Sequence, residues 1–147
     1  MKERTVKKYA IALVAVLLTG LVADWAWTQK AVAIKTLPFS AARKAGNTLY
    51  VSGQIARTAE GADVKESVEA ETRQVMDNIG RILEANGYTF DDVVRATVFL
   101  KDIEDYHEMN GAYASYFDEV FPARACVGDQ QIVFDFRVEI SCIAYKE

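Results

Sequence analysis

The chain has 147 residues, 51% of them apolar, and a net charge of −4. That length suits one domain with a full apolar core, and an acidic chain without a basic stripe argues against nucleic-acid binding. Two cysteines, Cys126 and Cys142, and one histidine, His107, fall short of a usual zinc ligand set.

The charge is unevenly spread. Five basic residues (Lys2, Arg4, Lys7, Lys8, Lys30) and two acidic ones (Glu3, Asp24) precede Ile34, so the remainder is the acidic part. Met1 to Lys8 is basic, and Ala10 to Ala23 is an uncharged apolar run. A basic flank followed by roughly 7–15 apolar residues is the pattern of a secretory signal. Ala31-Val32-Ala33 offers a cleavage site, although far from the apolar run, and Trp25 and Trp27 would suit the interface of an uncleaved anchor. Residues 1–33 are therefore expected to be a signal peptide or membrane anchor. On either reading the domain at 34–147 is expected outside the cytosol, exported or membrane-attached, and periplasmic in a Gram-negative source.

Within the domain, Ala41–Lys44 and Thr48–Ser52 read as two strands turned by Gly46-Asn47, the second rich in β-forming residues. It runs into Ser52-Gly53-Gln54. Gly53 is either an ordinary bulge or a point where a backbone or ligand comes close. Ser67–Ala85 predicts a helix, with Val68, Val75, Met76, Ile79, Ile82 and Leu83 on one face, acidic residues in its first turns and Gly87 as its C-terminal cap. Val93–Leu100 predicts a buried strand. Asp102 can cap a second helix of similar length, from Ile103 to about Asp118, with Tyr106, Met109, Tyr113 and Phe117 on its apolar face. His107 is read as a surface residue, and Asn110 stands beside the stripe. Phe121–Val127 and Ile132–Ala144 complete the strands. The order β-β-α-β-α-β-β predicts an α+β layer, with both helices on one face of a mixed sheet. Nothing in the chain covers the other face, which predicts a symmetric assembly.

Phe121-Pro122-Ala123-Arg124-Ala125-Cys126-Val127 carries the chemistry. An arginine entering an apolar strand is costly unless an anion meets it, and its planar fork matches a carboxylate, so Arg124 is a candidate carboxylate clamp. Glu139 falls on one face of a largely apolar strand. It either faces water at a sheet edge or is a partly buried carboxylate that positions a water or proton.

These motifs together resemble the RidA (YjgF/YER057c/UK114) family over about Leu37 to Ala144: Pro38-Phe39-Ser40, Tyr50-Val51-Ser52-Gly53-Gln54, Thr97-Val98-Phe99-Leu100-Lys101-Asp102, Met109-Asn110 with Tyr113, Phe121-Pro122-Ala123-Arg124 and Val138-Glu139-Ile140. The resemblance implies a chorismate-mutase-like fold of the bacillus type and a homotrimer with ligand clefts between subunits. It also implies hydrolysis of reactive enamines and imines such as 2-aminoacrylate to 2-keto acids and ammonia, with no metal or organic cofactor. By the same resemblance Arg124 binds the substrate carboxylate and Glu139 helps to hold the attacking water. Cys126 contributes backbone groups, and Phe39, Ser52, Gly53 and Asn110 line the site. The implied partners are small imine or keto-acid carboxylates and further copies of the chain.

Three features depart from the family pattern. Phe39 stands where a tyrosine is common, so a hydroxyl is lost. Gly128 to Phe136 lacks the usual Leu-Pro, and the N-terminal segment is unusual for the family. A disulfide between Cys126 and Cys142 stays open. Two alternatives to the deaminase stand beside it: a non-catalytic module that holds small carboxylates, and a chaperone-like interaction protein.

Overall fold

A computed structural model describes residues 38–147. Among them no helix is long and apolar enough to cross a membrane. The segment 1–33, read above as signal or anchor, lies outside the described residues.

β1 (Ala42–Ala45) and β2 (Thr48–Gln54) form a hairpin. Its two-residue turn is possible because Gly46 takes a φ of 58°. α1 (Val68–Ala85) begins at Ser67, whose side-chain oxygen accepts from the Ala70 N–H at 3.0 Å. It ends at Gly87, where φ is 81° and the N–H donates to the Glu84 carbonyl. β3 (Val93–Leu100), α2 (Tyr106–Ala114) and β4 (Ala123–Val127) follow, then β5 (Val138–Tyr145).

The sheet order is β1-β2-β5-β3-β4, with β3 and β4 parallel and every other pair antiparallel. This is the expected α+β fold, two helices on one face of a mixed five-stranded sheet. Alternation along β5 sorts its side chains. Val138, Ile140, Cys142 and Ala144 are buried beneath the helices, and Glu139, Ser141 and Ile143 face the other way. On that second face Tyr50 is 49% exposed, and no helix among the described residues lies over it.

Three boundaries differ from the sequence reading. α2 has nine residues against eighteen in α1, so the helices are not of similar length. Residues 103–105 form a short 3-10 turn before it, and Ser115, Tyr116 and Phe117 leave it through bonds to carbonyls three residues back. Phe117 thereby reaches the core without a longer helix. β4 begins at Ala123, not Phe121. β5 begins at Val138, not Ile132, because Phe134 and Asp135 take φ of 58° and 63°, which no strand accommodates.

Glu71, only 1% exposed, fixes the start of β5 from inside the fold: its carboxylate accepts from the Arg137 N–H at 2.7 Å. The cysteines are free. Cys126 pairs with Val98 and Cys142 with Ala96, on opposite sides of β3. Two strand spacings, roughly 10 Å, exceed the reach of a disulfide.

Candidate functional site

Arg124 is the second residue of β4 and pairs with Ala96, so it points to the helix-covered side of the sheet. α2 meets it there. Nη2 donates to Asn110 Oδ1 at 2.6 Å and to the Tyr106 hydroxyl at 3.4 Å, and Nη1 lies 3.9 Å from the Met109 sulfur. The guanidinium carbon stands 4.8 Å from the Tyr113 ring centroid and 5.7 Å from that of Tyr106. No carboxylate pairs with it among the described residues. Arg124 is thus a half-buried cation, oriented by a neutral amide and two aromatic rings, with no anion of its own. Such a group is a carboxylate receptor in its chemistry.

Tyr113 supplies a ring face only. Its hydroxyl is buried without a hydrogen-bond partner, and burial pushes its pKa up to about 12 against the opposing pull of Arg124. Cys126 lies two residues after Arg124 and is half-buried. Burial pushes its thiol up, again with Arg124 opposing, so the thiolate a nucleophile would need is disfavoured.

Glu139 is the second residue of β5 and pairs with Phe99, which puts it on the uncovered side. There β2 is bulged between Val51 and Gln54. Gly53 sits in that bulge, and a Cβ added to it would lie 1.9 Å from Glu139 Oε1 and 2.8 Å from its Cδ. The bulge reading of Gly53 holds, and what comes close there is a side chain rather than the backbone or ligand the sequence suggested. That close approach seats the Glu139 carboxyl. Burial raises the Glu139 pKa above the usual value, and no hydrogen bond to its carboxyl occurs among the described residues. Ser52, beside Gly53, donates from its hydroxyl to the Ser40 carbonyl at 2.7 Å, which ties the segment carrying Phe39 to β2. Phe39 itself is 60% exposed.

The structure therefore gathers the candidate residues into two groups. Arg124, Asn110 and Cys126 share the helix-covered side, and Gly53 and Glu139 the open side, with Ser52 and Phe39 alongside them. Within one chain the sheet separates Arg124 from Glu139. Two open clefts of the chain, about 530 and 520 Å3, contain none of the seven residues. Tyr106 was legible only as a member of the apolar stripe of α2, and Tyr113 as a member of that stripe and of the motif with Met109-Asn110. Their part around Arg124 depends on where β4 docks, and local spacing carries no sign of that. His107 is exposed, as expected, against the Tyr106 ring.

Comparison with known proteins points one way. The profile of the family described as Endoribonuclease L-PSP matches residues 28–146. A RutC family protein of Pyrococcus horikoshii is 48% identical over 111 residues, 75% of this chain and 88% of that protein. The 2-iminobutanoate/2-iminopropanoate deaminase of Escherichia coli is 38% identical over 104 residues, 69% of this chain and 81% of the enzyme. The crystal structure of the Escherichia coli YjgF gene product superposes with a TM-score of 0.72 at 36% identity, covering 78% of this chain and 91% of that one. Reactive Intermediate Deaminase A of Arabidopsis thaliana, a chloroplastic protein, is 40% identical over 73% of this chain and 58% of its own length. These relatives and the lack of a spanning helix among the described residues correct one expectation. Export across a membrane, periplasmic residence and membrane attachment are not supported. The apolar run that suggested them lies outside the described domain.

Proposed function

This chain belongs to the RidA/YjgF family, described as Endoribonuclease L-PSP, and from that premise we propose that it is an imine and enamine deaminase of the 2-iminobutanoate/2-iminopropanoate type. The folded unit is taken as residues 34–147, working as a homotrimer with its ligand clefts between protomers. The observation that carries the reading is Arg124, a half-buried guanidinium oriented by Asn110 and unmatched by any carboxylate among the described residues. The placement of Glu139 supports the assembly. Since it faces the other side of the sheet, a ligand gripped by one protomer's Arg124 would meet the Glu139 of a neighbour, across the sheet face that no helix among the described residues covers.

The chemistry asks little of such a site. Arg124 holds the substrate carboxylate and so fixes the imine carbon. Glu139 holds a water, whose oxygen bonds to that carbon while a proton passes to nitrogen. The carbon–nitrogen bond then breaks, ammonia leaves and the keto acid remains. An enamine first takes a proton at its terminal carbon to become the imine. A carboxyl desolvated beside the Gly53 bulge suits both tasks, since it takes up a proton more readily than an ordinary glutamate and, when ionised, favours the cationic iminium. The endoribonuclease of the family description finds less support, because a net charge of −4 offers RNA phosphates little attraction.

A non-catalytic carboxylate-binding module is the second reading. Phe39 favours it, being exposed and without a hydroxyl to offer substrate or water. Keto-acid release separates the two. An amino-acid oxidase generates imines from a panel of amino acids in the presence of semicarbazide, with the full chain and its Arg124→Ala variant compared. Acceleration by the wild type that disappears in the variant is expected. A folded wild type that accelerates no imine of the panel overturns the deaminase in favour of the binding module.

A further inference from the structure

Building on the carboxylate-binding reading above, we propose that Tyr106 is a second ligand of the bound carboxylate, donating its phenolic proton to the oxygen that Arg124 also holds. Arg124 Nη2 donates to two oxygens of α2, and it does so unequally, at 2.6 Å to Asn110 Oδ1 and at 3.4 Å to Tyr106. The short bond anchors the guanidinium. The long one is weak, and an incoming oxygen can share it. A phenol has one proton and two lone pairs. With a lone pair turned to Arg124, the proton of Tyr106 has no acceptor among the described residues. A carboxylate oxygen against Arg124 provides that acceptor.

The other neighbours of Arg124 cannot do the same. Asn110 presents a carbonyl oxygen to the guanidinium, which would repel a carboxylate. The Tyr113 hydroxyl is buried away from solvent, at 4% exposure for the residue. Met109 is fully buried and offers only sulfur. Tyr106 is half-buried and also lines an open cleft of about 370 Å3 with Ile103, Glu104 and His107, so one side of its ring reaches solvent. Among the described residues it has the one phenol hydroxyl within hydrogen-bond distance of Arg124. A site with both donors selects an acid over its ester or amide, because a neutral group leaves the pair underused.

Titration calorimetry of the full chain with 2-oxobutanoate tests the proposal, alongside Tyr106→Phe and Arg124→Ala. Tyr106→Phe keeps the ring, so its melting temperature is expected to match wild type. Its affinity for 2-oxobutanoate should fall roughly tenfold, the effect of losing one hydrogen bond to a charged group. In imine hydrolysis the same variant should raise KM with kcat retained, since the carboxylate is held equally before and during the reaction. Arg124→Ala should abolish binding. If Tyr106→Phe binds as tightly as wild type while Arg124→Ala does not bind, the role of Tyr106 is overturned and that of Arg124 stands. If wild type binds no better than Arg124→Ala, both fall.

Discussion

On the helix-covered side of the sheet, Arg124 is surrounded by groups that suit its charge: a short hydrogen bond to Asn110, the ring faces of Tyr113 and Tyr106, and a long contact to the Tyr106 hydroxyl. On the open side, Glu139 has no such company. Its carboxyl is wedged against Gly53, desolvated and without a hydrogen bond among the described residues, and its pKa is raised accordingly. One side thus stabilises a charge that lacks a counterion, and the other destabilises the charge it holds. Each lacks what the other has. A small ligand with a carboxylate at one end and a nitrogen that becomes cationic at the other would satisfy both. The proposed assembly is the way one protomer's arginine meets another's glutamate.

Substitutions that remove one half should cost most. Arg124→Ala is expected to abolish carboxylate binding, and Arg124→Lys to recover little of it, since an ammonium cannot reproduce a stacked, forked guanidinium. Keto-acid release at low substrate measures both.

Glu139→Gln should slow imine hydrolysis by about 100-fold or more while leaving 2-oxobutanoate binding near wild type. If the ionised form holds the water, wild-type activity falls as pH drops through the raised pKa of Glu139, and the Gln variant lacks that limb. Stability should move in the opposite sense. A raised folded pKa means that folding favours the protonated form, a contribution fully present below the usual value of 4.5 and lost as pH rises through the folded value. Glu139→Gln is therefore expected to be more stable than wild type at neutral pH, with the difference vanishing below about pH 4.5. Melting curves across pH would show it.

Gly53→Ala separates seating from folding. The new methyl collides with the end of a flexible side chain, not with backbone. Stability should change by less than about 1 kcal/mol, while the displaced carboxyl lowers the rate by roughly tenfold or more. Unchanged rates would show that the position of Glu139 against Gly53 is immaterial.

The smallest effect on activity belongs to Glu71. Glu71→Ala leaves the Arg137 N–H without its acceptor at the start of β5, at a cost of about 1–3 kcal/mol by urea denaturation. Glu71→Gln keeps an acceptor oxygen and should lose less. Its sign with pH follows Glu139, because burial also raises the pKa of Glu71 despite the opposing Arg137 N–H.

Much of the fold was legible because local chemistry and tertiary packing agree. Ser67 and Gly87 punctuate α1, and its apolar spacing becomes its buried face. The second helix was read too long because Phe117 keeps helical spacing with Tyr113, while the chain reaches that position through a tighter turn. Ile132-Val133-Phe134 reads as strand by composition, yet Phe134 and Asp135 are left-handed. Lys65 donating to the Phe134 carbonyl and Lys101 paired with Asp135 hold that turn, and both partners are distant in sequence. Arg124 and Glu139 were each visible as candidates from residue type and surroundings. Their separation by the sheet was not, because it depends on the register of β4 and β5 against β3, where a shift of one residue would reverse either side chain.

Complementation tests the central claim, that one site takes Arg124 and Glu139 from different protomers. Arg124→Ala and Glu139→Gln chains, each inactive alone, are co-expressed and the mixed oligomers purified. If the site spans protomers in a closed ring, some interfaces pair an intact Arg124 with an intact Glu139. In each mixed trimer one of the three interfaces is then intact, and activity should return to about a third of wild type per site. Mixed oligomers as inactive as either parent would place both residues in one chain's site and contradict the account.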